Sequence, residues 1–94
     1  MNEGPGDQAS HRRIRERLLG LVAEILGEPH AAATLPPDGR LSELGMSSIK
    51  MVSLMLAVES EFDLTIPQAD ITPDNFRSVA SVEALLARLL GARV

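Results

Sequence analysis

Cysteine is absent from this chain of 94 residues, so the protein has neither a disulfide nor a thiolate ligand for a metal ion. Tryptophan and tyrosine are absent too, and Phe62 and Phe76 alone offer little surface on which nucleic-acid bases would stack. A net charge of −4 repels phosphate backbones, so the composition indicates that nucleic acid is not a partner. With 45% apolar residues, the chain is expected to form one small domain that folds on its hydrophobic core alone.

Long apolar runs are also missing. No segment approaches the roughly 20 apolar residues of a membrane span, and residues 1–10 lack the apolar stretch and basic start of a signal peptide. We therefore expect a cytoplasmic protein without membrane association. His11 and His30 are far apart and have no carboxylate or second histidine at ligand spacing. This pattern argues against a metal site and against acid–base catalysis, so no catalytic residue is predicted.

Hydrophobic periodicity predicts three helices. The first covers 10–27 with Ser10 as its N-cap, the second covers 48–61, and the third covers 78–91 with Ser78 as its N-cap. The apolar positions that define the three helices are Ile14, Leu18, Leu21, Val22, Ile25 and Leu26; Val52, Met55, Leu56, Val58 and Phe62; and Val79, Val82, Leu85, Leu86, Leu89 and Leu90.

The segments between these helices lack a period and are rich in proline and glycine. Residues 28–44 predict a long irregular connection, and Pro67 favours an extended exit from the second helix. A single short helical turn is predicted over 70–76. Residues 1–9 are expected to form a disordered tail.

The most informative stretch is Gly45-Met46-Ser47-Ser48-Ile49, because it places a serine in the first turn of the second helix, directly after a glycine turn. The stretches Leu41–Ile49, Val58–Pro67 and Ser78–Val82, in this order, resemble the acyl carrier protein family, in which a Gly-x-Asp-Ser-Leu motif opens the second helix. The resemblance covers 14–90. It implies an all-α, up-and-down helical bundle of three main helices plus one short helix, with a carrier domain over 10–94.

By this resemblance Ser48 would carry 4′-phosphopantetheine, transferred from coenzyme A by a phosphopantetheinyl transferase. The thiol of that arm would hold an acyl, aminoacyl or polyketide intermediate as a thioester. The implied protein is a monomeric, non-catalytic carrier, which is loaded by an acyl- or aminoacyl-specific ligase or transferase and presents its cargo to downstream synthase enzymes. Such carriers serve fatty acid, polyketide, nonribosomal peptide and aminoacyl pathways.

The sequence departs from the family pattern around this serine. Ser47 replaces the usual aspartate, which keeps a capping side chain but removes a charge, while Lys50 and Ser53 stand where fatty-acid carriers often have carboxylates. These departures favour a specialised pathway over primary fatty acid synthesis. Acidic residues return later, and we expect them to form the partner surface: Glu59, Glu61, Asp63 and Asp70.

A second interpretation assigns no cofactor to the chain. The short motif around Ser48 also suits a helix cap or an exposed helical residue, and the protein would then be an unmodified adaptor that docks through its second helix. Ser47 is expected to be the cap rather than a second attachment point.

The sequence decides only in part which apolar residues in and just before the second helix are buried. Val52 and Val58 are expected in the core, whereas Met46, Ile49 and Met51 suit either the core or a pliable cleft that shelters an apolar cargo. The basic residues of the first helix are expected to form a solvated face with Glu16: Arg12, Arg13, Arg15 and Arg17.

Overall fold

The computed structural model describes residues 3–92 and contains three α-helices and two 3-10 segments, with no strand in that range. The α-helices are α1 (Glu3–Leu26), α2 (Ser48–Phe62) and α3 (Val79–Ala92), and the 3-10 segments are Pro29–Thr34 and Gln68–Asp70. The predicted all-α bundle is confirmed. None of these helices is long and apolar enough to cross a membrane within the described part of the chain.

α1 begins earlier than the sequence predicts. Its first residue is Glu3, so Ser10 lies inside the helix and is not its N-cap. Pro5 does not delay the start, because the first four N–H groups of a helix have no helical partner and proline is tolerated there. The backbone from Glu3 onward is therefore helical where a disordered tail was expected. Residues 1–2 and 93–94 lie outside the described residues, and the assignment of 10–94 to one carrier domain stays a prediction.

The core is lined by all three helices, but α2 contributes only one narrow stripe. Leu54, Val58 and Phe62 recur every four residues and are buried. The prediction for Val58 is confirmed, whereas the prediction for Val52 is wrong, because Val52 is 52% exposed. Successive helical residues are about 100° apart, so Val52 lies roughly 160° around the helix from Leu54. The buried cluster consists of Ile14, Leu18, Val22, Leu41, Met46, Leu54, Val58, Phe62, Ile66, Phe76, Val79, Val82, Leu85 and Leu86.

The long connection between α1 and α2 is irregular, as predicted, but it is attached to the start of α3. The Leu41 N–H donates to the Arg77 carbonyl at 2.8 Å, and the Ala80 N–H donates to the Pro37 carbonyl at 2.9 Å. Leu41 itself is completely buried. These backbone bonds hold the connection beside the segment that enters α3.

The short helical turn predicted over 70–76 is wrong in position. The 3-10 segment lies earlier, at Gln68–Asp70, and residues 73–76 form a turn without helix. Pro73 has no N–H to donate, and the Thr72 hydroxyl accepts the Asn75 N–H at 3.2 Å, which is a local alternative to helical bonding.

Two arginines of α1 connect the helices instead of facing solvent only. Arg15 Nε lies 2.6 Å from Glu83 Oε1 on α3. Arg17 donates to the Glu61 carboxylate at 2.8 Å and to the Glu61 carbonyl at 2.9 Å, and its guanidinium lies 4.7 Å from the centre of the Phe62 ring. The expected solvated face is confirmed for Arg12, Arg13 and Arg17, which are exposed, whereas Arg15 is half-buried.

The contrast between the two valines of α2 can be measured directly. Val58→Ala should lower the free energy of unfolding by about 1.5–3 kcal/mol, because it removes two buried methyl groups and leaves a cavity. The same substitution at Val52 should change it by less than about 0.5 kcal/mol. Urea unfolding of both variants measures the difference, and equal losses would contradict the orientation of α2.

Candidate functional site

A glycine turn directs the chain into α2. Gly45 has a φ of 104°, a conformation in which a side chain would be strained. The Met46 N–H then donates to the Leu41 carbonyl at 2.9 Å, and the Met46 side chain is buried. Met46, which the sequence analysis placed in either the core or a cleft, therefore lies in the core. The turn anchors the backbone immediately before the serine pair.

The two serines at the start of α2 occupy different positions. Ser47 is the N-cap, with an extended backbone and a side chain that accepts the Lys50 N–H at 3.2 Å, so its predicted role as the cap is confirmed. Ser48 is the first helical residue, and its side chain is exposed. Of the pair, Ser48 therefore presents its hydroxyl to solvent, while the Ser47 hydroxyl is engaged with the backbone.

The start of α2 suits a negatively charged group. Its first turn contains no acidic residue, and Lys50 lies in that turn. The leading N–H groups of a helix have no helical acceptors and carry the positive end of the helix dipole, which favours phosphate. An exposed hydroxyl beside these groups fits a phosphodiester bonded to Ser48. In residues 3–92 no three histidine or carboxylate side chains converge as ligands for a metal ion would.

The face of α2 that follows Ser48 is apolar and exposed. Ile49 is 80% exposed, Val52 52% and Leu56 62%, and their spacing of three and four residues places them on one side of the helix. We call these three side chains the outer face. Ile49, whose burial the sequence did not decide, therefore lies in solvent and not in the core. The sequence already indicated an exposed apolar face. The apolar residues of α2 form two stripes along the helix, and only one stripe fits into the core.

The acidic partner surface expected from the sequence stays a prediction, and two of its members already have partners within the chain. Glu59 Oε2 accepts the Ile66 N–H at 2.9 Å, and the Glu61 carboxylate is paired with Arg17. Both carboxylates hold the end of α2 in place and are not free charges. Asp63 is exposed but has a left-handed backbone with a φ of 53° at the C-cap.

An open groove of about 540 Å³ lies beside the start of α2. Met51, half-buried and one helical turn after Ser48, forms part of its wall. Met51 was expected either in the core or in a cleft, and it lines a cleft. The full lining is Arg40, Ser42, Met51, Ile71, Thr72, Pro73, Asp74, Phe76 and Arg77.

Comparisons with known proteins cover most of the chain. Residues 16–90 match the family described as "Phosphopantetheine attachment site". The chain is 44% identical over 79 residues to aminoacyl carrier protein 2 of Bradyrhizobium diazoefficiens, covering 84% of this chain and 89% of the relative. It is 46% identical over 79 residues to aminoacyl carrier protein 1 of the same organism, covering 84% and 88%.

Two solved structures show the same fold in complex with an enzyme. One is a Bradyrhizobium japonicum glycine:[carrier protein] ligase complexed with glycylated carrier protein, with 47% identity, a TM-score of 0.63, and coverage of 77% of this chain and 97% of that chain. The other contains the ligase, its cognate carrier protein and an analogue of glycyl adenylate, with 40% identity, a TM-score of 0.63, and coverage of 84% and 97%.

Because only Ser47 caps α2, substitutions of the two serines should change the free energy of unfolding by different amounts. Ser47→Ala should lower the free energy of unfolding by about 1 kcal/mol, because it removes the acceptor of the Lys50 N–H. Ser48→Ala is the matched control and should change stability by less than about 0.5 kcal/mol. Thermal and urea unfolding test this pair. A larger loss for Ser48→Ala than for Ser47→Ala would contradict the assignment of the cap.

Proposed function

Because this chain belongs to the family of carrier proteins with a phosphopantetheine attachment site, we propose that it carries an aminoacyl group on an arm bonded to Ser48. Phosphopantetheine is covalently attached in this family, and its members are carriers rather than enzymes. The arm supplies a terminal thiol that holds the cargo as a thioester. The observation that carries the proposal is the exposed Ser48 hydroxyl at the first position of a capped helix.

Ser48 is the proposed attachment point because its neighbours leave its hydroxyl free to react. Ser47 already accepts a backbone hydrogen bond, and turning it outward would remove the cap of α2. Lys50 and the N–H groups of the first turn would lie beside the phosphodiester and stabilise its charge. The chain thus positions the arm through backbone groups and a single cation.

The aminoacyl class of cargo is supported by the relatives. Two of them are named aminoacyl carrier proteins, and two similar carrier proteins were solved with a glycine-specific ligase. Glycine is therefore the first cargo to test. Ser47 and Lys50, where fatty-acid carriers often have carboxylates, agree with a role outside primary fatty acid synthesis.

We further propose that a loading ligase docks on the outer face. The three apolar side chains begin one residue after Ser48, so an enzyme that covers them has its active site within reach of the arm. The fully buried centre of an interface is more apolar than its rim, and these side chains suit such a centre. The proposal also includes a phosphopantetheinyl transferase, downstream enzymes that accept the cargo, and a monomeric protein in the cytoplasm.

The attachment site can be tested by intact mass. Incubation with coenzyme A and a broad-specificity phosphopantetheinyl transferase should add one arm to the wild type and to Ser47→Ala, and none to Ser48→Ala. Circular dichroism of both variants controls for folding. An arm that remains on Ser48→Ala would disprove the site, and a wild type that accepts no arm would favour the unmodified adaptor.

The docking face can be tested by loading kinetics. With the holo protein and a glycine-specific carrier ligase, Ile49→Ala and Leu56→Ala should each lower kcat/KM at least roughly fivefold, mainly through KM, because each removes an apolar anchor. Ile71→Ala is a control, since Ile71 is an exposed apolar residue outside α2. If the control has the largest effect, the ligase docks elsewhere.

A further inference from the structure

The groove beside Ser48 has an apolar floor and a charged rim. Phe76 is buried at its base, and Met51 and Ile71 line its walls. Two arginines, Arg40 and Arg77, are also among the residues that line it. They are brought together by the backbone bond between the Leu41 N–H and the Arg77 carbonyl, at 2.8 Å.

The charges of this rim do not cancel. Asp74 is the acidic residue among the lining side chains, and its carboxylate lies 3.0 Å from the Arg77 guanidinium. Among the side chains that the structure describes, none forms a hydrogen bond or ion pair with the Arg40 guanidinium. Asp38, Glu43 and Asp70 are close to the lining residues in sequence but do not line the groove themselves. The groove therefore carries a formal charge of +1.

We propose that this groove selects the tethered group by charge: it retains a group that ends in a carboxylate and leaves a group that ends in an ammonium in solvent. The inference rests on the proposed attachment at Ser48. Residues three apart on a helix are neighbours, so Met51 lies next to the attachment point and the tethered group reaches the groove. Tethering also raises the local concentration of the group to about the millimolar range, at which weak contacts are occupied.

The chemistry of the rim accounts for the selection. A carboxylate can accept charge-assisted hydrogen bonds from Arg40, and it can accept further bonds from Arg77 when Arg77 leaves Asp74. An ammonium group has to displace Arg77 from Asp74 and then lies close to two cations. An aminoacyl cargo consequently stays outside the groove and accessible to enzymes on the outer face, while a dicarboxylic cargo is held back.

Because both arginines are at the surface, the selection is moderate. Two exposed charge contacts correspond to roughly two- to thirtyfold in the population of the bound state. The effect should decrease as salt is raised, since exposed charges are screened.

Matched arms test the proposal. Apo protein is loaded at Ser48 with amide-linked succinyl, 4-aminobutyryl and pentanoyl arms, which have similar length and differ in terminal charge. Methyl shifts of Met51 and Ile71 are then measured against the holo form. The succinyl arm should give the largest salt-sensitive shifts, Arg40→Gln with Arg77→Gln should remove them, and Asp74→Asn should enlarge them. Arg88→Gln, an exposed arginine on α3, is the control and should leave them unchanged.

The outcomes separate this inference from the proposed function. Equal shifts for all three arms, or succinyl shifts that survive the double substitution, would overturn charge selection and leave the attachment site intact. Larger shifts for the pentanoyl arm would show an apolar shelter instead, and would also overturn it. Failure of wild-type Ser48 to accept any arm by mass would overturn both.

Discussion

The burial of one stripe of α2 determines how the site faces solvent. Leu54 and Val58 are completely buried and Phe62 nearly so, and each such side chain contributes about 1.5–3 kcal/mol to folding. Since a helix is rigid, burial of this stripe directs the opposite side outward. That side carries Ile49, Val52 and Leu56, which begin directly after Ser48. Packing of the core thus orients the outer face, although no residue of the outer face belongs to the core.

The two ends of α2 are held by different chemistry. At the start, a glycine turn and the Ser47 cap fix the backbone with neutral groups, which leaves the helix dipole available to an anion. At the end, Arg17 donates to the Glu61 carbonyl and carboxylate, and Glu59 accepts the Ile66 N–H. The acidic residues of α2 are therefore used to anchor its far end. A partner that approaches Ser48 meets apolar side chains instead of carboxylates.

The long connection shapes the candidate site through its attachment to α3. Leu41 is buried, and the bonds from Leu41 to Arg77 and from Ala80 to Pro37 close the connection against the start of α3. One result is a stable entry into the Gly45 turn. Another is the groove, because the same bonds bring Arg40 and Arg77 to one rim beside α2. The position of the Gly45 turn and the formation of the groove therefore depend on the same backbone bonds.

Sequence alone determined the features that depend on local rules. Helical periodicity identified three helices, and the capping preference of serine identified Ser47 and Ser78, whose hydroxyls accept the N–H groups of Lys50 and Ser81. The sequence also singled out Ser48, because a glycine turn followed by serine at the start of a helix is a short-range pattern.

Tertiary structure decided what local rules leave open. Periodicity showed that α2 has more apolar residues than one core stripe needs, but only packing selected Leu54 and Val58 over Val52 and Leu56. Likewise, Glu59, Glu61, Arg15 and Arg17 read as free surface charges in the sequence. Glu59 accepts from Ile66, seven residues later, but the Arg17–Glu61 and Arg15–Glu83 pairs span 44 and 68 residues, so only the fold brings those pairs together. Contacts over such separations depend on how the helices pack, and no local pattern encodes them.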